Sequence, residues 1–399
     1  MFMPNLRSIA IMYLCALVSP VWAQTCHVKV TASGTADCSS WANACALPTA
    51  LSSSTVCASI WVQAGTYSPI VLKSGVKLYG GFVGTETTAS QSDPVANVTI
   101  IDGAGGAAVK ATNCNDQTVL RGFRIANGIG WYFLNAGGLT LFNSPIRIVN
   151  CWFENNRCGF AGCAALLDGS SAVFVNCTFA NNGHEDNPDY ASVQGAPQYA
   201  LETLAGGAVW VKETTASFTN CLFYGNRADE GGAVVVPVGS TAAFRSCTFT
   251  QNTATLREGG GVSDEGGSTF YNTIFWNNSA AWGFPGISDL SSSVVVAYSD
   301  VQGGWAGMGN LNVDPQFKDV VAGDYRIKFA SPCKNTGNNA YLDFDDPDDL
   351  QPDAGDLDWD TDLTETTPRD LKGCARKNGT VDIGAYEFHP TCNGPSGGS

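Results

Sequence analysis

The strongest constraint on the fold is a seven-residue phrase that recurs through the middle of the chain. Its five copies read NCWFENN at 150–156, NCTFANN at 176–182, NCLFYGN at 220–226, SCTFTQN at 246–252 and NTIFWNN at 272–278. Successive copies begin 26 residues apart, except for one step of 44 residues between the second and third copies. A fixed period with one long step is typical of a solenoid that carries a loop insertion.

The phrase also indicates how each coil is wound. Its Cys and Phe are separated by one residue, which places both on the same inward face of a short strand. The Asn residues that follow tolerate left-handed backbone angles, and in stacked coils their amides can hydrogen-bond along the axis as an Asn ladder. A Gly-Gly phrase a few residues later allows the next bend. The repeat therefore predicts an all-β solenoid, a single-stranded parallel β-helix.

The first residues indicate export, and the net charge disfavours one class of partner. Residues 1–23 contain one Arg, a short apolar run and a small-residue site ending at Ala23, which predicts a secretory signal peptide. That run is too short to span a bilayer, and no later run is long enough, so we predict no transmembrane segment. The formal net charge of −15 disfavours nucleic acid as a partner. We expect a protein that is secreted, either extracellular or at the cell surface.

Fourteen cysteines remain once Cys15 leaves with the signal peptide, an even number that indicates disulfides in an exported chain. Four of them take the same place in successive copies of the phrase: Cys151, Cys177, Cys221 and Cys247. Stacking in register seldom gives disulfide geometry, so we favour a buried ladder of free thiols over bridged pairs. The easiest pairs among the other ten are Cys38 with Cys45, Cys158 with Cys163, and Cys333 with Cys374.

The motifs resemble those of known proteins. The repeats resemble the right-handed parallel β-helices of the pectate-lyase-like superfamily, and especially the Gly-Gly-Ala-Ile and Phe-x-x-Asn repeats of polymorphic outer-membrane proteins. The opening SSWANA, IWVQAGTY and VKLYGGFVGTET is similar to that of secreted bacterial β-helix proteins. The ending, with YSDVQGGW, TPRDLKG and VDIGAYEF, resembles the choice-of-anchor Q module that precedes varied surface anchors. The resemblance implies a right-handed coil in an exported bacterial protein.

These patterns divide the mature chain into four parts. We assign 24–110 to an N-terminal cap and the first coils, 111–300 to the repeat region, 301–389 to an acidic C-terminal module and 390–399 to a flexible tail. Within the cap, 47–56 predicts a short helix, and 60–62 predicts a strand. A helix with disulfides is expected to cover the open end of the coil.

The long step of the repeat holds an insertion, residues 183–202, that departs from the coil pattern. Insertions in solenoids often carry binding residues, and two arginines occupy equal places in the flanking coils. The predicted substrate-binding residues are His184, Asp186, Tyr190, Tyr199, Arg157 and Arg227. They would form a glycan or metal site, with the tyrosines offering flat surfaces to sugar rings. The alternative is a solvated, turn-rich loop.

A catalytic role is the rival interpretation. A polysaccharide lyase needs a base near the sugar C5 proton and cations that neutralise the uronate carboxylate. The main basic candidates in the coils are Arg157, Lys212, Arg227 and Arg245. A glycosidase needs paired carboxylates, for which Asp229 with Glu230 or Asp264 with Glu265 could be offered. None of these residues lies in a recognisable catalytic motif, so we favour solvent-facing turn residues and assign no catalytic residue.

Acidic residues concentrate between 343 and 362. The alternate positions that could converge on Ca²⁺ are Asp356, Asp358, Asp360 and Asp362. The segment does not follow the EF-hand pattern, because Thr361 stands where that loop needs Gly. A structural Ca²⁺ and a solvated acidic loop are the two interpretations, and no other cofactor is expected.

Three functions follow from these patterns. The favoured one is an extracellular, non-catalytic surface or matrix protein that binds glycans or partner proteins along the flank of the coil. The second is a polysaccharide lyase or another carbohydrate-active enzyme, and the third is a structural component of a surface layer. Fold alone does not choose among them.

Overall fold

The computed structural model describes residues 24–52, 57–130, 135–183, 205–342, 369–376 and 379–392. The predicted signal peptide lies outside these residues. Within them, short parallel strands dominate, and no helix is long and apolar enough to cross a membrane. The helical segments in the described ranges are one α-helix, Leu47–Ser52, and three 3-10 turns, Trp41–Asn43, Ala89–Gln91 and Asn339–Tyr341.

Three parallel sheets, here called A, B and C, run along the coil. The strands of sheet A are Gln24–Val28, Cys57–Gln63, Lys77–Phe82, Val119–Arg121, Arg147–Val149, Val173–Val175, Thr215–Thr219, Thr241–Arg245, Thr269–Tyr271 and Val295–Ala297. Those of sheet B are Gly65–Tyr67, Thr99–Asp102, Phe123–Ala126, Trp152–Glu154, Thr178–Ala180, Leu222–Tyr224, Thr248–Thr250, Ile274–Trp276 and Asp300–Val301. Those of sheet C are Ile70–Val71, Val109–Thr112, Leu139–Phe142, Ala165–Asp168, Val209–Lys212, Val234–Val236, Val262–Asp264 and Ile287–Asp289.

Smaller pairings accompany these sheets. Two short parallel sheets join the turns between B and C, and one antiparallel hairpin follows the last coil. Their strands are Ile129–Gly130 with Arg157–Cys158, then Arg227–Ala228 with Thr253–Ala254 and Ser279–Ala280, and the hairpin Phe317–Asp319 with Asp324–Ile327.

Each coil passes through the three sheets in the order A, B, C, and the seven-residue phrase makes the corner from A into B and the corner after B. Asn150, with φ 51°, ends a strand of sheet A, and Asn155, with φ 53°, ends the following strand of sheet B. Both residues have left-handed backbone angles, which Asn adopts more readily than most residues. The predicted right-handed parallel β-helix is confirmed.

Two columns of stacked phenylalanines fill the core. The column from sheet B is the predicted one, and its neighbouring ring centroids are 4.5–4.9 Å apart: Phe153, Phe179, Phe223, Phe249 and Phe275. A second column from sheet A, not foreseen from the phrase, has spacings of 4.8–4.9 Å: Phe174, Phe218, Phe244 and Phe270. Rings of the two columns meet at steep angles, which suits the aromatic quadrupole.

The last Asn of each phrase forms the predicted ladder. The Nδ2 of Asn226 donates to the Oδ1 of Asn252 and to the Phe179 carbonyl, each at 2.9 Å. Its Oδ1 accepts from both the backbone nitrogen and the Nδ2 of Asn182, each at 3.0 Å. The same pattern joins the five ladder residues Asn156, Asn182, Asn226, Asn252 and Asn278. Buried amides thus satisfy backbone groups that the corner leaves unpaired.

Four disulfides are present among the described residues. The predicted pairs Cys38 with Cys45 and Cys158 with Cys163 are confirmed, and Cys26 with Cys57 joins the first two strands of sheet A. The predicted pair Cys333 with Cys374 is wrong. Cys374 bonds Cys392, 18 positions away, and the Cys333 thiol donates to Oδ2 of Asp300 at 3.3 Å.

The predicted ladder of free thiols is also confirmed. Its four members, Cys151, Cys177, Cys221 and Cys247, are buried and unbridged. Each thiol donates to the carbonyl two residues earlier. Burial raises the pKa of Cys151 and of Cys221, which keeps these thiols protonated and unreactive.

The C-terminal part runs back along the outer side of sheet B. There Leu222 and Ile274, which point outward from the coil, pack against Phe317, Tyr325 and Ile383. This second hydrophobic core fastens the segment to several coils at once. Among the described residues, it leaves part of the outer face of sheet B, toward the N-terminus, uncovered.

Candidate functional site

A groove of about 660 Å³ lies on that uncovered part of sheet B. Its floor is formed by Arg124, Trp152 and Thr178, which occupy the same register on three adjacent strands. One wall comes from residues 90–98, and the other comes from residues 369–373 with Tyr386 and Cys392. Two segments far apart in sequence therefore enclose one site.

The groove concentrates positive charge. Four basic residues line it, Arg121, Arg124, Arg369 and Lys372, although the chain has only 21 in all and a net charge of −15. The guanidinium carbon of Arg124 lies 5.4 Å from the ring centroid of Trp152. Burial, followed by the charges of Arg326 and Lys318, lowers the pKa of Lys372. Arg124 also pairs with Glu154 at 3.6 Å. The four basic side chains still outnumber the three acidic ones that accompany them, Asp93, Glu154 and Asp370, so the groove carries an excess of positive charge on an acidic protein.

The two carboxylates of the groove are bound by backbone amides. Oδ1 of Asp370 accepts from the backbone nitrogens of Lys372 and Cys374 at 2.9 and 2.7 Å, and Oδ2 accepts from that of Glu387 at 2.8 Å. Oδ1 of Asp93 accepts from two backbone nitrogens at 3.0 Å. Both carboxylates therefore hold the walls in place.

A buried polar cluster lies behind one wall of the groove, where residues of VDIGAYEF meet Asp370 and Arg376. The guanidinium of Arg376 is fully buried and donates to the carbonyls of Asp382 and Gly384. Oε2 of Glu387 accepts from the backbone nitrogen of Asp382 at 3.0 Å. Burial raises the pKa of Asp382, and that of Glu387 to about 8. Arg376, Asp382 and Glu387 support this wall from behind, whereas Arg369, Lys372 and Tyr386 line the groove itself.

The protein should become less stable as the pH rises from about 4 to above 8. Burial raises the pKa of Asp300 to about 6 and that of Glu387 to about 8, so folded protein holds these protons more tightly than unfolded protein does. Their stabilising effect is present at low pH and is lost as the pH passes each folded-state pKa. Melting temperature measured across this range should fall. Glu387→Gln should make the melting temperature depend less on pH. Glu213→Gln changes an exposed side chain and should leave the pH dependence as it is.

The residues predicted from the insertion are only partly described. His184, Asp186, Tyr190 and Tyr199 lie outside the described residues. Arg157 and Arg227 line one cavity of about 580 Å³, together with Asn155, Asn181 and Gly183. The predicted insertion begins at Gly183, whose backbone pairs with Arg227. The coil thus brings the two predicted arginines together at the base of the insertion.

The predicted Ca²⁺ residues, Asp356, Asp358, Asp360 and Asp362, also lie outside the described part of the chain. Within that part, no three acidic, His or Cys side chains cluster as a metal site would require.

The carboxylate pairs considered for glycosidase chemistry have structural partners. Glu230 forms an ion pair with Arg257 at 3.2 Å and accepts from the Ser263 hydroxyl at 2.9 Å. Asp264 is fully buried, and its Oδ1 accepts from three successive backbone nitrogens, including that of Gly266 at 3.0 Å. These contacts favour turn-forming roles for both residues.

The match to a family model agrees with this architecture. A family model described as a right-handed β-helix region matches residues 83–280. The chain is 27% identical over 209 residues to metabotropic glutamate receptor-like protein R of Dictyostelium discoideum, a match that covers 51% of this chain and 12% of that protein. The crystal structure of pectate lyase Pel9A aligns with a TM-score of 0.36 at 13% identity, covering 92% of this chain and 96% of that one. The chain is a right-handed parallel β-helix protein.

Proposed function

We propose that the protein is a non-catalytic binding protein of the cell exterior, and that its groove on sheet B takes an anionic partner. The proposal rests on one observation: a single recess is lined by four basic side chains and by only two carboxylates, both of which are bound by backbone amides. A recess with low-dielectric walls strengthens such a field and attracts ligands of opposite charge. The four disulfides support an oxidising location.

The hydrogen bonds made by the groove's two carboxylates support binding without turnover. General acid–base catalysis needs a group that can exchange a proton with the substrate. Asp370 and Asp93 instead accept backbone hydrogen bonds that fix the groove walls. The basic side chains can neutralise a bound anion, and the exposed part of Trp152 can contact its apolar surface.

Reversing the charge of Lys372 tests this proposal. We expect Lys372→Glu to weaken binding of a uronic-acid oligosaccharide or an acidic peptide by about tenfold to a hundredfold, the scale of one charged hydrogen bond. Isothermal titration calorimetry measures the affinity. Lys110→Glu makes the same charge change at an exposed position on sheet C and should leave binding unchanged. Equal loss in both variants, or no binding of any anion, would contradict a site in the groove.

A polysaccharide-active enzyme is the second candidate, because Arg157 and Arg227 share a cavity beside the insertion. Incubation with a panel of uronic-acid polysaccharides would reveal unsaturated products by ultraviolet absorbance and new reducing ends by colorimetry. Turnover that disappears in Arg157→Ala or Arg227→Ala would favour the enzyme. Intact polysaccharide after long incubation would favour binding alone.

A further inference from the structure

The corner between sheets A and B carries a polar residue at the same place in five successive coils. All five have φ of 51–52°: Asn150, Asn176, Asn220, Ser246 and Asn272. The corner residues therefore form a row along the outer edge of sheet B. The C-terminal segment runs across one part of this row, and the groove exposes the other.

Two members of the row bind the backbone of the C-terminal segment. Nδ2 of Asn272 donates to the carbonyl of Asn338 at 3.0 Å, and Oδ1 of Asn272 accepts from the Asn338 backbone nitrogen at 2.8 Å. Asn338 has extended backbone angles. Nδ2 of Asn220 donates to the carbonyl of Arg369 at 2.7 Å. Asn272 thus binds the N–H and the C=O of one extended residue, and Asn220 binds one carbonyl.

Asn176 occupies the next place in the row and lines the groove. It is 7% exposed, and its Oδ1 has no hydrogen-bond partner among the described residues. The Nε1 of Trp152, on the floor of the same groove, is also buried without a hydrogen-bond partner there. A buried acceptor and a buried donor left unsatisfied are costly unless a ligand completes them.

We propose that the groove binds an extended, acidic peptide segment of a partner protein. Asn176 would pair with one of its peptide groups as Asn272 pairs with Asn338, and Trp152 Nε1 would donate to a carbonyl oxygen. Arg124 and Lys372 would meet its carboxylates. The peptide would continue the row of contacts that the C-terminal segment already makes at Asn220. This inference rests on the proposed anion-binding function and names its partner.

The peptide backbone is the feature that separates this partner from an acidic glycan. The probe is a fluorescein-labelled octapeptide of alternating Asp and Ser, compared with the same peptide N-methylated at alternate residues. N-methylation removes backbone donors and keeps the charge. Fluorescence anisotropy should show binding of the first peptide to the full chain and about tenfold weaker binding of the second, the effect of losing roughly one hydrogen bond to a buried group.

Asn176→Gly is the matching change in the protein, because glycine accepts the left-handed corner. It should weaken binding of the unmethylated peptide by about tenfold and leave the difference between the two peptides much reduced. Asn277→Gly is the control, since it makes the same change at another left-handed corner that lies outside the groove. Circular dichroism and melting temperature establish that both variants fold.

The outcomes separate the two proposals. A peptide affinity that is unchanged by N-methylation and by Asn176→Gly would overturn the peptide inference. Binding of an oligogalacturonate but not of the peptide, with sensitivity to Lys372→Glu, would overturn it too, while leaving the anion-binding function in place. Failure of both anions to bind would overturn both proposals.

Discussion

Replacing Asn226 by alanine should lower the free energy of unfolding by about 4 kcal/mol, because the substitution leaves several buried groups unsatisfied at once. The Phe179 carbonyl and the backbone nitrogen of Asn182 lose their side-chain partner, and Nδ2 of Asn182 keeps only its bond to the Phe153 carbonyl. Water cannot replace the lost bonds at this fully buried corner. Denaturation in guanidinium chloride, followed by circular dichroism, measures the change.

The control for this prediction is Asn155→Gly. Asn155 is an exposed corner residue with φ 53°, and Gly225 holds the equivalent place two coils later. This variant should change stability by less than about 0.5 kcal/mol. A similar loss in the two variants would mean that the corner conformation, and not the ladder of amides, determines stability.

Phe223→Ala should be comparably destabilising, by about 3–5 kcal/mol. The ring of Phe223 is fully buried and stacks between Phe179 and Phe249, with centroid distances of 4.6 and 4.5 Å. Its removal opens a cavity in the middle of a column whose neighbours are held by their own strands and cannot collapse into the space. Chemical denaturation again provides the measurement.

Trp282→Ala is the matched control, because this larger aromatic side chain is 73% exposed. It should cost less than about 0.5 kcal/mol. If Phe223→Ala is tolerated equally well, the stacked column is not the stabilising element that its burial indicates.

The repeated phrase was sufficient to predict the coil, because each coil uses the same local rules. Its Phe and Cys form the core, its final Asn forms the ladder, and its other Asn residues take the left-handed corners. The second aromatic column had a signal too. Phe218 and Phe244 each stand three residues before a ladder cysteine, a regularity that the phrase boundaries concealed.

The groove could not be predicted in the same way, because its walls are more than 250 residues apart in sequence, at 90–98 and 369–373. Only the docking of the C-terminal part on sheet B brings them together. The usable signals were local: RGFR at 121–124 and RDLK at 369–372 are dense in basic residues within a chain that has few. The wrong cysteine pair has the same origin, since Cys333 is turned toward Asp300 by that docking.

The C-terminal segment also changes how the coil can come apart. In a solenoid each coil contacts only its neighbours, so unfolding can start at an end and spread gradually. Here the nitrogen of Ala385 binds the Thr248 hydroxyl, 137 positions earlier, and Asn220 binds the carbonyl of Arg369, 149 positions later. These contacts link the coils from Asn220 to Asn272 through one segment. Those coils should therefore open together as one cooperative unit. Gradual fraying should be confined to the N-terminal coils, which these contacts do not reach.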